Sequence, residues 1–440
     1  MRIPLELLPF SSLSSLDLFG SLFDFTSSSP SCPSGLPLTC SNHTAIVDTC
    51  CFEHPGGIML QTQFWDYTPP RGMDSGPWND DLEKHLGPNT SFTNHGLWPD
   101  NCDGGYQQFC DSSRQIDDVY HLLESDQFNR GDGLEIRGKD LLEDMDKFWK
   151  SNTGDDESLW IHEFNKHATC IKTIRPECYA RWDRSSVTRN VEDYDKTAVY
   201  DYYRIAMKLY QSLDTFKALE KHNIVPSTTK SYTREEISQA LSSAFQDKKV
   251  FFKCDRSRSL NEIWYYHLLK GSLLSEDFRA IDALGATSNC PADGIMFYPK
   301  GYRPGNGRKP GNPGNGKPGI RGIIRISGFS GMIIRNGHWM SSGTPANFNL
   351  IEAPFGNYYL KSRTGYCGPD DRHDGALICN KGLGNAAQFE YDSQKGYLGF
   401  SGSFDWHADE YPRRRQQSLV YAGRSEDSKY PFKLKFVKTH

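Results

Sequence analysis

Twelve cysteines, an even number, restrict this chain of 440 residues more than any other feature. Metal ligation and disulfide pairing are the two readings of so many thiols. No paired C-x-x-C sets occur, and the adjacent Cys50 and Cys51 suit a tetrahedral zinc site poorly. Disulfides in an oxidising compartment are therefore expected. The sequons Asn42-His43-Thr44 and Asn89-Thr90-Ser91 mark Asn42 and Asn89 as candidate glycosylation sites on the same secretory route. The N-terminus carries Arg2 and a Leu/Phe-rich stretch through Phe25, but Glu6 and Asp17 interrupt it, so the export signal is weak. No run of about 20 apolar residues follows, and no membrane span is expected.

Composition then divides the chain. In YPKGYRPGNGRKPGNPGNGKPGIRG, Tyr298 to Gly322, proline and glycine interleaved with lysine and arginine cannot bury a core, and the stretch reads as a flexible basic linker. The expected organisation is a targeting or disordered segment at 1–31, an α+β domain at 32–298, a linker at 299–322 and a β-rich module at 323–440. Helical spacing is clearest from Val191 to Leu219, and Thr233 with Glu236 offers a capping box for another helix. Strands are expected around Gln61–Tyr67, Phe92–Trp98 (breaking at Pro99) and Lys249–Lys253. Beyond the linker, short runs of Ile, Phe, Tyr and Val between glycines and asparagines predict a small sandwich or barrel, stapled by Cys367 and Cys379. The run Arg413, Arg414, Arg415 reads as a solvated loop, with contact to RNA or a polyanionic wall as the alternative. A formal net charge of −5 argues against a nonspecific nucleic-acid coat, though not against a local cationic cleft.

The chemistry concentrates in LWIHEFNKHATC, Leu159 to Cys170. His162 and His167 are five apart, roughly 140° around a helix, so one zinc ion is not easily held by both as in H-E-x-x-H. Helix spacing instead pairs His162 with Lys166 and Glu163 with His167. Imidazole, carboxylate and ammonium in one strip suit phosphate chemistry, although any one of them alone reads as a solvated charge. Upstream, FTNHGLWPDNCDGGY places His95 in a strand-like run. A histidine pair can split acid and base roles near pH 6.5.

HGLWPDNC and HEFNKHATC resemble, in order, the two signature segments of the ribonuclease T2 family. QTQFWDYTPPRG, Gln61 to Gly72, and the cysteine layout extend the likeness over roughly Cys32 to Tyr298. The tail resembles the C-terminal extension of the fungal vacuolar type. The resemblance implies an α+β T2-like domain and metal-independent cleavage of single-stranded RNA through a 2′,3′-cyclic phosphate, with no cofactor. It implies His167 as base, His95 as acid, Glu163 as a catalytic carboxylate, and His162 and Lys166 on the phosphate. Trp98, Asp100 and Tyr106 would bind a base. Disulfides would join Cys32–Cys51, Cys40–Cys102, Cys50–Cys178, Cys110–Cys170 and Cys254–Cys290. A monomer in the vacuole lumen or outside the cell, with low base preference, is implied as well. Departures are Ala168 for the usual glycine, Asn94 for an apolar residue, and an inserted loop around Asp80–Ser91. Two alternatives remain: a binding or signalling protein on the same fold, and a zinc-dependent hydrolase. All these site residues precede Tyr298, so a chain ending near Pro299 is expected to carry the activity.

Overall fold

The computed structural model describes residues 32, 35–41, 48–70, 73, 78–130, 134–182, 191–285, 288–304, 319–353, 357–370, 373–383, 386–413, 416–424 and 429–439. The segment 1–31, Asn42, most of the linker, Arg414 and Arg415 lie outside them.

The N-terminal domain is built on an antiparallel sheet of β1 (Ile58–Phe64), β2 (Thr93–Asp100), β3 (Phe251–Cys254), β4 (Leu260–Leu269) and β5 (Phe278–Ile281). The order is β2-β1-β4-β3, with β5 also on β4. β2 is thus an edge strand. That is why it runs through Pro99 instead of breaking there, as the sequence suggested: a proline lacks an N–H for the ladder but is tolerated at an edge. β1 begins at Ile58, earlier than expected, because Ile58 and Leu60 pack with Tyr266 in a small apolar cluster on one face. Met59 and Leu97 enter the helical core on the other.

Two helices frame the site. α1 (Asp156–Lys166) starts at Asp155, whose carboxylate accepts from the Ser158 amide, and ends at His167. α2 (Val191–Gln211) stops short of the periodicity read through Leu219. Asp214 caps a separate helix, Thr215–Glu220, so the chain turns between them. Thr233 and Glu236 form the expected capping box. The supposed insertion loop contains a helix, Asp80–Leu86, because Asn79 caps it, and Asn89 is exposed just beyond.

The C-terminal module is a barrel. β6 (Ile320–Ile326), β7 (Phe348–Glu352), β8 (Tyr358–Lys361), β9 (Gln388–Asp392), β10 (Tyr397–Gly399) and β11 (Leu434–Lys438) pair in a closed antiparallel ring, since β7 bonds both β8 and β6. Ile324, Phe348, Leu350, Phe389, Leu398 and Leu434 fill it. A hairpin of Tyr366–Asp370 and Ala376–Lys381 sets Cys367 opposite Cys379. β6 already begins at Ile320, and Lys300 and Arg303 pack on the first domain, Arg303 donating to the Pro69 carbonyl at 2.6 Å. Structure therefore extends into both ends of the stretch read as linker.

The six disulfides are Cys32–Cys51, Cys40–Cys102, Cys50–Cys178, Cys110–Cys170, Cys254–Cys290 and Cys367–Cys379. No described helix is long and apolar enough to cross a membrane.

Candidate active site

A β-bulge aims His95. Thr62 faces Gly96 and Gln63 faces Asn94, so His95 has no opposite residue in β1. Strict alternation would send it to the face away from Trp98; the extra residue turns it back to the same side. The bulge is secured by two polar contacts. Trp149 donates from Nε1 to the His95 carbonyl at 2.9 Å, and the buried Asn94 accepts from Gln61 Nε2 at 3.0 Å. The second bond explains how a polar side chain is tolerated at 94.

Glu163, on α1, lies at the centre and is 1 % exposed. Its Oε1 is 3.4 Å from His95 Nε2, and its Oε2 accepts from Trp98 Nε1 at 2.6 Å and lies 4.0 Å from His167 Nε2. Such an approach of helix to strand requires glycine at 96. A Cβ there would sit 2.1 Å from Glu163 Oε2. α1 is held in turn by Trp160 Nε1 on the Trp149 carbonyl, 2.9 Å, and by Tyr203 of α2 on the Trp160 carbonyl, 2.8 Å.

The two histidines differ electrostatically. Burial alone lowers an imidazole pKa, but at His95 the carboxylates of Glu163 and Glu262 outweigh it and hold the group above its ordinary 6.5. At His167 burial acts with the neighbouring Lys166, His162 and His95, and its pKa lies well below 6.5. His95 therefore favours the cation and His167 the neutral ring. His162 is likewise pushed well below, by burial and then Lys166 and His95. Burial also lowers Lys166, against Glu163, Glu390 and Asp100. Burial raises Asp100 well above its ordinary 3.8, against the neighbouring Lys166.

Among the residues expected at a base, Trp98 stacks on His167, 4.9 Å between centroids and 14° between planes, so it is joined to the histidine–glutamate cluster. Tyr106 bridges back to Asp100 across a short β contact.

Sequence reading missed Glu262 and Lys253. Glu262 Oε1 lies 2.9 Å from His95 Nδ1, and Lys253 Nζ lies 2.9 Å from Glu262 Oε2. Phe64 stacks on the same imidazole at 3.8 Å. The available signal was a carboxylate inside the largely apolar and aromatic run of β4. Also missed were Gln388, Glu390 and Asn357 of the barrel, which reach Lys166 and Tyr106. Among the described residues, no group of three or more His, Cys, Asp or Glu side chains is arranged to hold a metal ion.

Two imidazoles whose pKa values are pushed in opposite directions, a carboxylate and a lysine, gathered where a helix meets a sheet, can move two protons around a phosphate ester. The chain matches the Ribonuclease T2 family model over residues 56–283 and the RNase T2-like C-terminal domain model over 317–437. It is 59% identical over 409 residues to the protein named Ribonuclease T2-like from Kluyveromyces lactis, covering 93% of each chain. The Saccharomyces cerevisiae protein of the same name is 53% identical over 422 residues, covering 93% of this chain and 94% of that one. The crystal structure of Actibind, described as a T2 ribonuclease, is 34% identical, covers 61% of this chain and 98% of its own, and superposes with a TM-score of 0.48. The chain belongs to the ribonuclease T2 family, and it is a T2-type ribonuclease followed by that family's C-terminal domain.

Proposed function

We propose that the protein cleaves single-stranded RNA by metal-independent transphosphorylation. His167, held neutral, takes the proton of a ribose 2′-OH as its oxygen attacks the adjacent phosphorus. The P–O5′ bond breaks, and His95, held as imidazolium, gives its proton to the departing 5′ oxygen. The products are a 2′,3′-cyclic phosphate and a free 5′-OH. Lys166 stabilises the charge on the non-bridging oxygens, Glu163 orients the phosphoryl group and both histidines, and His162 offers a neutral N–H. The nucleophile is internal to the substrate and the histidines carry both protons, so no step needs a metal-bound hydroxide.

Trp98, Asp100 and Tyr106 would receive a base. Aromatic stacking is tolerant of base identity and fits low specificity. With its disulfides and sequons, the protein fits RNA turnover or scavenging in the vacuole lumen or outside the cell.

The observation that supports this reading best is Glu163 between His95 and His167, with Glu262 behind His95 alone. Incubation with total RNA in EDTA, followed by analysis of product ends, tests it: cyclic phosphates and 5′-hydroxyls are expected. His95→Ala and His167→Ala should each lower cleavage by roughly 10²–10⁴-fold while the fold survives. Near wild-type turnover in either folded variant contradicts the assignment.

A further inference from the structure

The barrel is docked on the catalytic cluster. Alternation along β9 sends Phe389 into the barrel core and turns Gln388 and Glu390 outward to the first domain. Lys166 Nζ donates to Gln388 Oε1 at 2.7 Å, and Gln388 is fully buried. The Tyr106 hydroxyl donates to Glu390 Oε1 and accepts from Asn357 Nδ2 at 3.2 Å. Backbone contacts close the same seam: Tyr106 N–H bonds the Ser401 carbonyl at 3.1 Å, and Gln108 Nε2 bonds the Gln388 carbonyl at 3.1 Å. A Cβ on Gly402 would lie 3.1 Å from Gly105 Cα, so the two domains meet backbone to backbone there.

We propose that the C-terminal barrel is an autoinhibitory cap, in which the side-chain oxygens of Gln388 and Glu390 occupy the places that RNA must take at Lys166 and Tyr106. This rests on the reading of Lys166 as the phosphate-contacting residue and Tyr106 as a base-contacting residue. An amide oxygen takes the ammonium as a phosphoryl oxygen would, and it meets a Lys166 that is only 6 % exposed. A carboxylate at the same seam repels an incoming polyanion.

The cap is built to leave. Gln388 is a neutral acceptor, and a charged phosphoryl oxygen makes the stronger hydrogen bond to an ammonium. Glu390 Oε2 is buried without a hydrogen-bond partner, a cost that undocking relieves. The Pro/Gly-rich basic stretch between the domains, read from sequence, would keep a released barrel tethered near the site. Apparent affinity in such a system is the intrinsic affinity reduced by the fraction of open molecules.

Full-length Gln388→Ala/Glu390→Ala should therefore raise kcat/KM on a dinucleotide and tighten binding of adenosine 3′-monophosphate, each by about tenfold if one molecule in about ten is open at rest. Gln388→Glu, which places a carboxylate against Lys166, should lower both. Nucleotide binding measured by calorimetry in the His95→Ala background reads the cap without turnover. Affinity shifts there with no RNA cleavage by the parent chain would keep the cap and discard the proposed reaction. Unchanged or weakened rate and binding in the folded double variant, or a more active Gln388→Glu, overturns the cap.

Discussion

Substitution at Glu262 can distinguish positioning from the proposed proton transfer at the level of one residue. It touches His95 from the side opposite Glu163, and with Lys253 behind it fixes which imidazole nitrogen faces the cleft. Glu262→Gln keeps a hydrogen-bonding oxygen but removes one of the two carboxylates that raise the His95 pKa. The sign follows directly: the imidazolium is lost at lower pH, so the alkaline limb of kcat/KM shifts toward acid while the acid limb, set by His167, stays. A purely structural role would lower activity at every pH without moving a limb. Gly96→Ala tests the neighbouring contact. Its Cβ would displace Glu163, and a loss of at least tenfold in kcat, with little change in the circular dichroism spectrum, is expected. That His95, Glu163 and His167 would lie together was readable because they fall in two short segments that resemble the family's signatures. Glu262 lies 167 residues from His95 and meets it only through strand pairing, which no local pattern encodes.

Among the elements, the bulge in β2 and the start of α1 matter most. The Trp149 indole satisfies the carbonyl of the bulged residue, so Trp149→Phe leaves a buried acceptor unpaired. It should cost about 1–3 kcal/mol in denaturant unfolding, and it should also lower kcat because His95 loses its aim. Asp155→Ala removes the cap of α1 at its far end from His167 and should cost about 1 kcal/mol with turnover nearly intact. Equal losses of activity in the two variants would show that stability, not the aim of His95, governs the rate. Capping chemistry was readable from sequence at Thr233 and Glu236 because it is local. The bulge was not, since it exists only relative to β1, and the end of α2 was overrun because Leu213 and Phe216 keep an apolar spacing across a turn capped by Asp214.

Across the whole molecule, two domains are joined through a polar seam. Composition showed the division into an α+β part and a β part, but pairing order, and hence barrel closure, is set by contacts between distant strands such as β6 and β11. The docking of barrel on active site was invisible for the same reason. For a chain ending near Pro299, expected from the position of the site residues to cleave at a rate close to the full protein's, the proposed cap predicts a different outcome. Such a fragment lacks Gln388 and Glu390, and an autoinhibited parent would be the slower of the two.

The most direct test of the histidine assignment is the pH dependence of kcat/KM for the full-length protein on a dinucleotide in EDTA. His167 must be neutral, and its pKa lies well below 6.5, so the rate should rise through a limb on the acid side. His95 must be protonated, and its pKa lies above 6.5, so the rate should fall through a second limb at higher pH. Lys166 and His162 face the first group, and Glu163 and Glu262, with Lys253, face the second. A bell with a broad maximum spanning pH 6.5 is the expected result. A rate that climbs steadily into alkaline pH, or that vanishes in the chelator, contradicts it.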